Sequence, residues 1–255
     1  MIKNKKGIIF GIANDHSIAW GIAKKLSENG AELILTYQNE SLLKRVKPLA
    51  EKLNNSFLIE CDLEKEESLK KCFEIIEDKF QKIDFVIHAV AFSDKSELNG
   101  RYISTSKENF IKTLNISCFS FTKIAKLSSK ILNEEGSLLT LTFYGSNKVI
   151  PNYNVMGIAK AALETSVKYL SVDLGNKKIR VNAISASPMR TLSGAAITNS
   201  REIFNYTKKN SALNRNVELN EIGNSALYLI SDLSKAVTGE IHYVDCGFNI
   251  IGIPK

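Results

Sequence analysis

The sequence predicts a doubly wound α/β fold, with a seven-stranded parallel sheet that carries helices on both faces. Short apolar runs alternate with longer amphipathic stretches along the 255 residues, which is typical of parallel strands covered on both sides. Right-handed connections between successive parallel strands generate a doubly wound sheet. Hydrophobic residues make up 44% of the chain and charged residues 24%, which favours a globular core and excludes disorder. Residues 1–255 are therefore predicted to form a single Rossmann-type domain.

Seven apolar segments have the length of buried strands. The predicted strands are Gly7–Ile12, Glu32–Tyr37, Ser56–Cys61, Phe85–Ala89, Ser137–Thr142, Arg180–Ile184 and Glu240–Val244. Ligands of such sheets bind beyond the carboxyl ends of the strands. The residues that directly follow each strand are thus the first candidates for a functional site.

Amphipathic stretches between the strands predict helices, several of which have Asp, Glu or Ser in the first turn. These helices begin near Ser17, Glu40, Glu66, Lys107, Asn154 and Glu218. The alternation is interrupted once, at Ser187 to Asn210, where small and polar residues predominate. A long loop inside a compact domain is usually a lid or a binding loop. We therefore expect a substrate-binding lid at about residues 187–210.

The charge distribution limits the classes of partner. The formal net charge is +7, but lysines and arginines are interspersed with acidic residues along the chain. No block of like charges indicates a nucleic-acid or membrane-binding tail. The excess of positive charge is consistent with a solvated basic surface, or with attraction of an acidic partner or a phosphorylated cofactor.

Cysteine usage and hydropathy predict a cytoplasmic protein. The four cysteines show neither a CxxC spacing nor the density of a disulfide scaffold, so reduced thiols and no metal site are expected. No cleavage-site pattern follows the short apolar run at the start of the chain. No apolar run approaches the roughly 18 residues of a spanning helix, so membrane insertion is not expected.

The turn after the first strand resembles a dinucleotide-binding turn. The segment from Gly11 to Gly21 leads into the first helix, whose N-terminal N–H groups and dipole could bind a pyrophosphate. Ser17 and Ala19 stand where a G-x-G-x-x-G motif would have glycines, so the motif is incomplete. Gly11, Ser17 and Ile18 are candidate cofactor ligands, and a tight turn with a serine helix cap is the alternative.

Two later positions support a bound dinucleotide. Gln38 ends the second strand, where such folds place a ribose ligand. Asp62 ends the third strand beside Leu63 and could accept a hydrogen bond from an adenine amino group, although an Asp here could equally cap a helix. Gln38 has no neighbouring arginine for a 2′-phosphate, so NADH is favoured over NADPH.

Tyr153 and Lys160 are the candidate catalytic residues. Seven residues on a helix turn roughly 700°, which leaves both side chains on nearly one face and about 10 Å apart along the axis. A lysine ammonium near a phenol is expected to lower its pKa and make it a better proton donor. A Tyr and a Lys at this spacing are often accidental, but here they follow the fifth predicted strand.

Several segments together resemble a known family. The segments Tyr153–Lys160, Arg180–Leu192 and Val244–Phe248, with the turn at Gly11, are similar to those of the enoyl-acyl-carrier-protein reductases. These enzymes are a branch of the short-chain dehydrogenase/reductases. The likeness runs in order from about Gly7 to Ile251, which is far more specific than any one motif.

The resemblance implies an activity. It implies NADH-dependent reduction of the trans-2 double bond of enoyl thioesters on acyl carrier protein, in bacterial fatty-acid elongation. In the family, six residues separate the tyrosine and lysine, whereas three are usual in carbonyl-reducing relatives. Hydride reaches the β-carbon while negative charge develops on the thioester oxygen, several bonds away, so the tyrosine must be placed differently. Tyr153 would stabilise that enolate oxygen, and Lys160 would bind the nicotinamide ribose.

The same resemblance implies roles for further residues. Val90 would lie beside the cofactor, Ser93 would contact substrate, and Phe143 and Tyr144 would line the acyl pocket. The cofactor edge of the lid would comprise Met189, Arg190, Thr191, Leu192 and Ser193, with Thr191 near the pyrophosphate. Val90 and Met189 could equally be core residues.

The resemblance also implies a homotetramer. Apolar residues on Gly157–Leu174 exceed one core-facing stripe, so a second face requires burial against another subunit or within the same one. Four basic residues flank the lid and could attract an acidic carrier protein, or could form only a solvated helix face. These are Arg201, Lys208, Lys209 and Arg215.

Three residues depart from the family pattern. Phe143 stands where a second pocket tyrosine is usual, and Ser187 and Cys246 replace glycines, which could alter the local backbone. Two other functions remain open from the sequence. One is a carbonyl or alcohol dehydrogenase on the same scaffold, and the other is a catalytically silent NAD(H)-sensing protein.

Overall fold

The computed structural model describes residues 2–192, 194 and 197–254. One parallel sheet of seven strands has the order β3-β2-β1-β4-β5-β6-β7, which confirms the predicted doubly wound sheet. The chain winds from β1 outward to β3 and then from β4 outward to β7. The strands are β1 (Lys6–Phe10), β2 (Glu32–Tyr37), β3 (Ser56–Glu60), β4 (Ile83–His88), β5 (Leu132–Thr142), β6 (Arg180–Ala186) and β7 (Ile241–Val244).

Helices connect the strands. In the described part of the chain they are α1 (Ile18–Glu28), α2 (Glu40–Ala50), α3 (Glu66–Phe80), α4 (Lys95–Leu98), α5 (Lys107–Leu114), α6 (Ser120–Ser128), α7 (Asn154–Asp173), α8 (Ser200–Asn210) and α9 (Leu219–Ile230). A π-helical turn, Asn115–Phe119, joins α5 to α6, and a 3-10 turn, Tyr144–Ser146, follows β5.

Two of the differences between the observed and the predicted element bounds are large. β5 begins at Leu132, well before the predicted Ser137, because Leu132 already pairs with Ile83 although polar residues follow it. The predicted long loop at 187–210 is wrong for its second half, since Ser200–Asn210 is the helix α8. This helix is mostly polar, so apolar periodicity did not reveal it.

Two apolar layers cover the sheet. Successive residues of each strand point to opposite sides; Leu138 belongs to the layer under α3, α6 and α7, whereas Leu139 belongs to the layer under α1, α2 and α9. Most members of both layers are fully excluded from solvent. The sheet is therefore a rigid platform whose carboxyl edge carries the loops.

A third, smaller apolar cluster lies near the carboxyl end of β5. It contains Leu98, Tyr153, Met156 and Ala159, and Phe143 and Ile197 pack against it. The cluster brings α4, the start of α7, the turn after β5 and part of the segment 187–210 into contact. In the described ranges, no helix combines the length and apolarity needed to cross a bilayer.

Candidate active site

The turn after β1 forms one end of the site. Gly11 has a φ of +103°, and a Cβ on it would lie 2.1 Å from the carbonyl oxygen of Ala89. The Ser17 hydroxyl accepts hydrogen bonds from the N–H groups of Ala13 and Asn14, at 3.0 and 3.1 Å, and does not cap α1. The serine therefore shapes the turn. Ile18 begins α1, so the exposed N–H groups of a helix start lie beside this turn.

Gln38 and Asp62 are brought together at the ends of the adjacent strands β2 and β3. The Gln38 amide donates to Asp62 Oδ1 at 3.1 Å, and the same oxygen accepts from the N–H of Glu64 at 3.1 Å. Asp62 thus stabilises the turn before α3 and also orients Gln38, but it does not cap the helix as its alternative interpretation expected, because the N-cap residue is Lys65. Leu63 is buried beside it. A carboxylate stands directly beside the predicted ribose ligand.

Val90 and the start of the predicted lid segment are partly buried. Val90 packs against the core layer under α3, α6 and α7, and Met189 packs against the opposite layer. Thr191 makes a tight turn, because its hydroxyl accepts from the N–H of Gly194 at 2.9 Å. The Arg190 guanidinium lies 4.7 Å above the ring of Phe204, which ties this turn to α8.

Leu192 and Ser193 are the last two residues of the predicted cofactor edge of the lid. Leu192 is exposed, with 52% of its surface accessible. Ser193 lies outside the described residues.

Tyr153 directly precedes α7, and Lys160 lies two turns into it. Asn154 between them has a φ of +33°, so the helical phase estimated from the sequence does not apply to Tyr153. The Asn154 amide donates to the carbonyls of Leu98 and Gly100, at 3.0 and 3.2 Å. These bonds attach the segment after α4 to the start of α7, next to Tyr153.

Burial controls the protonation of both candidate catalytic groups. Tyr153 is 7% exposed, and burial, with the Glu164 charge acting in the same direction, raises the pKa of its phenol. The expectation that Lys160 lowers this pKa is therefore wrong. Burial lowers the pKa of Lys160 to about 8, while Cys118 and Glu164 oppose that shift. The Lys160 ammonium donates to the Leu141 carbonyl at 2.7 Å.

Phe143 and Tyr144 occupy different surroundings. The Phe143 ring meets the Tyr153 ring edge-on, with centroids 5.1 Å apart, whereas Tyr144 packs against Phe248 at 5.7 Å. A Cβ on Gly145 would lie 2.6 Å from the Tyr153 ring, so only glycine lets this turn lie so close. Phe143 is thus the aromatic neighbour of Tyr153.

Ser93 is engaged within the protein. Its hydroxyl accepts from Thr113 Oγ1 at 2.9 Å and from the Asn109 amide at 3.2 Å. These bonds attach the segment after β4 to α5. Any contact of Ser93 with substrate would compete with this network.

Two of the departures from the family pattern have structural correlates. Cys246 has a φ of +55°, in the left-handed region where glycine is the usual residue. Ser187 is buried, and its hydroxyl has no hydrogen-bond partner among the described residues. Cys246 thus adopts a conformation that is costly for a residue other than glycine, and Ser187 buries a hydroxyl that no described residue satisfies.

Sequence reasoning missed Glu164. Its carboxylate is buried one helical turn after Lys160 and accepts from Thr142, Ser146 and Asn147. The i, i+4 spacing from Lys160 on a helix was the available signal. The partners, which lie on β5 and the turn after it, could not be inferred from that spacing.

The fold and the site together define a class. A doubly wound sheet with a dinucleotide-type turn after β1, and a buried Tyr–Lys pair at the start of the helix after β5, is the arrangement of a short-chain dehydrogenase/reductase.

Comparisons with known proteins narrow the class. The family model described as Enoyl-(Acyl carrier protein) reductase matches residues 11–249. Enoyl-[acyl-carrier-protein] reductase [NADH] 2 of Rhizobium meliloti is 56% identical over 254 residues, which cover 100% of this chain and 95% of the relative. The chain belongs to the enoyl-acyl-carrier-protein reductase family.

Solved structures agree with this assignment. The crystal structure of FabI from Candidatus Liberibacter asiaticus is similar with a TM-score of 0.97 and 54% identity, covering 100% of this chain and 98% of that one. The Anaplasma phagocytophilum enoyl-acyl-carrier-protein reductase in complex with NAD gives a TM-score of 0.96 and 51% identity, covering 100% and 97%.

Proposed function

We propose that this chain is an NADH-dependent enoyl-acyl-carrier-protein reductase, which reduces the trans-2 double bond of enoyl thioesters. The observation that carries the proposal is the buried pair Tyr153 and Lys160, with six residues between them in the chain, at the carboxyl edge of the sheet. The family membership and the dinucleotide-type turn after β1 support it. The six-residue separation matches the family and not its carbonyl-reducing relatives.

The residues present fit a dinucleotide. Glycine at position 11 lets the ends of β1 and β4 meet, because a Cβ there would overlap the Ala89 carbonyl, and the start of α1 offers N–H groups to a pyrophosphate. Gln38 and Asp62 would hold the adenosine end, where the carboxylate would repel a 2′-phosphate and favour NADH. Lys160 would hold the nicotinamide ribose. When bound, NADH supplies the hydride that the β-carbon of the substrate receives.

Tyr153 supplies the hydrogen bond that the reaction needs. Because burial raises its pKa, the phenol stays protonated and can donate to the thioester oxygen as that oxygen becomes an enolate. A donor fixed in a buried site stabilises developing charge more than a donor in water. Lys160 has one N–H on the Leu141 carbonyl, which leaves two for ribose hydroxyls. Protonation of the α-carbon completes the reduction.

The segment 187–210 is proposed to be the lid of this site. Ile197 packs against the cluster that contains Tyr153, and Arg190 connects the start of the segment to Phe204 of α8. Phe143 would line the acyl pocket, since its ring already contacts Tyr153. Closure of this segment would exclude water from the thioester.

We also propose that three basic residues attract the acidic carrier protein. Arg201, Lys208 and Lys209 lie on α8. Arg215, the fourth residue predicted for this role, donates to both carboxylate oxygens of Glu221, at 2.8 and 2.6 Å, and its charge is locally compensated. The proposal therefore leaves out Arg215, whose carboxylate partner lies on α9.

The docking proposal has a direct test. Raising the salt concentration should increase KM for a carrier-bound enoyl substrate much more than KM for the matching coenzyme A thioester. The double variant Lys208→Ala, Lys209→Ala should lose most of that difference, whereas Arg215→Ala should retain it. Equal salt dependence for the two substrates would refute docking by these charges.

The proposal further includes a homotetramer and a cytoplasmic location. The second apolar face of α7 supports assembly, and the cysteines, all present as thiols, support a reducing compartment.

A single assay separates the proposed activity from its alternatives. Purified protein is mixed with NADH and either a crotonyl or an acetoacetyl thioester, and NADH oxidation is followed. We expect oxidation with the crotonyl thioester. Oxidation with the acetoacetyl thioester alone would indicate a carbonyl reductase, and NADH binding without turnover of either substrate would indicate a sensing protein.

A further inference from the structure

Glu164 is a buried carboxylate to which the proposed mechanism gives no role. It is 9% exposed on α7, one turn after Lys160. Its Oε1 accepts from the hydroxyls of Thr142 at 2.7 Å and Ser146 at 2.5 Å, and its Oε2 accepts from the Asn147 amide at 3.3 Å. One side chain of α7 thus binds the end of β5 and the turn that follows it.

A buried anion is an expensive way to join a helix to a strand. Removing a carboxylate from water costs several kcal/mol, which hydrogen bonds only partly restore, and apolar residues of similar volume often stabilise a fold as well or better. The neighbouring core of α7, which includes Leu163 and Val167, is apolar. The carboxylate is therefore better explained by what it positions than by stability alone.

The segment that Glu164 holds also touches both catalytic groups. Within it, the Leu141 carbonyl accepts from Lys160, and the Phe143 ring packs on Tyr153. A Cβ on Gly157 of α7 would lie 2.8 Å from the Gly145 carbonyl oxygen, so the turn and the helix are in direct backbone contact. Residues 141–147 and α7 thus form one unit. Lys160 and Glu164 make the polar contacts between the segment and the helix.

Glu164 also acts electrostatically on Lys160. The other titratable groups that interact with the ammonium are Cys118 on the π-helical turn and His88 on β4. Burial raises the pKa of Cys118 and lowers that of His88 to about 3, so both are uncharged at neutral pH. Cys118 would oppose the shift of the Lys160 pKa only as a thiolate, which leaves the Glu164 carboxylate as the group that acts in this direction.

We propose that Glu164 is a positioning residue for the reduction. Its carboxylate fixes residues 142–147 against α7, so that Tyr153 and Lys160 are held in one geometry, and its negative charge keeps the buried Lys160 protonated. The proposal rests on the role assigned above to Lys160, the binding of the nicotinamide ribose by its ammonium.

The test is the pH dependence of NADH binding, followed by fluorescence titration of the purified protein from pH 6.5 to 10. In the wild type, affinity should fall as pH rises through the pKa of Lys160, about 8. Glu164→Gln retains shape but removes the charge, so the pKa of Lys160 falls and the midpoint should move down by about one pH unit. At pH 8 this shift corresponds to roughly fivefold weaker binding.

Two control variants separate charge from structure. Thr142→Val removes one hydrogen bond to Glu164 without changing any charge, so the midpoint should stay at its wild-type value even if thermal stability falls. Glu164→Asp keeps the charge but shortens the side chain; it should keep the midpoint and lower kcat with enoyl thioester. If Glu164→Gln does not fold, Glu164→Asp still tests the positioning role through its kcat.

The outcomes are distinguishable. A wild-type midpoint in Glu164→Gln, or an equal downward shift in Thr142→Val, would overturn the role of the Glu164 charge. A wild-type midpoint and a wild-type kcat in Glu164→Asp would overturn the positioning role. If NADH affinity in the wild type does not depend on pH, and Lys160→Met binds NADH normally, the role proposed for Lys160 fails, and this inference fails with it.

Discussion

Tyr153 and Lys160 are both buried at the edge of the sheet, and burial favours the neutral form of each. For the phenol this is the form that the proposed mechanism requires, because only a protonated tyrosine can donate to an enolate oxygen. For the ammonium it opposes the proposed ribose binding, because the charged form is the better ligand for ribose hydroxyls. The proposed mechanism therefore needs a charged neighbour only for Lys160, and the Glu164 carboxylate opposes the lowering of the Lys160 pKa.

Substitutions at Tyr153 and Phe143 should separate an effect on catalysis from an effect on packing. Tyr153→Phe removes the enolate donor, so kcat should fall by on the order of a hundredfold or more. Phe143→Tyr adds one hydroxyl to a ring that contacts Tyr153, so kcat/KM should change by no more than about tenfold. Both are measured by NADH oxidation with a crotonyl thioester.

Tyr144→Phe is the matched control for this pair. Tyr144 packs on Phe248 and not on Tyr153, so this variant should remain active. Near-normal turnover in Tyr153→Phe together with loss of activity in Tyr144→Phe would assign the catalytic hydroxyl to Tyr144.

His88 should make the fold sensitive to mild acid. It is fully buried between Thr140 and Ser120, and burial lowers its pKa from 6.5 to about 3. Below pH 6.5 the unfolded chain therefore takes up a proton that the folded chain does not bind. The free energy of unfolding should fall by about 2 kcal/mol from pH 7 to pH 5 through this residue.

The measurement is urea unfolding at pH 7, 6 and 5, above the range where most carboxylates titrate. His88→Gln can still hydrogen-bond but has no proton to gain, so its unfolding free energy should be nearly constant across this range. If the unfolding free energy of His88→Gln falls from pH 7 to pH 5 as steeply as that of the wild type, another group causes the acid sensitivity.

At the scale of elements, two glycines allow α1 and α9 to pack closely. A Cβ on Gly223 would lie 2.9 Å from the carbonyl oxygen of Gly21, and a Cβ on Gly21 would lie 2.9 Å from that of Leu219. The helices meet through backbone, so neither can accept a side chain without moving. Because the turn at Gly11 leads directly into α1, this packing fixes one end of the proposed dinucleotide crevice.

Gly223→Ala should therefore destabilise the fold although alanine is the better helix former. The propensity gain is about 1 kcal/mol, whereas overpacking costs about 1–3 kcal/mol, so a net loss of about 1 kcal/mol is expected in urea unfolding. Gly175→Ala is the control, because nothing lies within 4 Å of its added Cβ; it should be neutral or slightly stabilising. Equal effects of the two substitutions would contradict the packing argument.

At the scale of the whole molecule, α7 exposes an apolar stripe to solvent. Its large members are Ile158, Tyr169 and Val172, the last two 73% and 80% exposed. The neighbouring helical segments add Ile111 and Phe119, also exposed. A surface of this kind is typical of a subunit interface.

We expect a tetramer by light scattering at micromolar protein concentration. The double variant Tyr169→Arg, Val172→Glu should form smaller species, because charges in an apolar interface are costly to desolvate. Leu233→Glu, at an exposed position away from α7, is the control and should keep the wild-type mass. A monomeric wild type would refute the assembly.

By itself the sequence determined the parallel sheet and the candidates Gly11, Gln38, Tyr153 and Lys160, because strand length, helical period and motif order are local properties. Only the tertiary structure decided how those residues are charged and held. The pKa of Tyr153 is raised and not lowered, because burial and the Glu164 charge both act in that direction.

The same distinction applies to the neighbours of the site. Arg215 is paired with a carboxylate on another helix, Ser93 is bound to α5, and Glu164 links α7 to a turn 18 residues earlier in the chain. Burial and through-space hydrogen bonds arise when the elements pack together. No pattern of neighbouring residues encodes them, so the sequence identifies the site and the fold sets its chemistry.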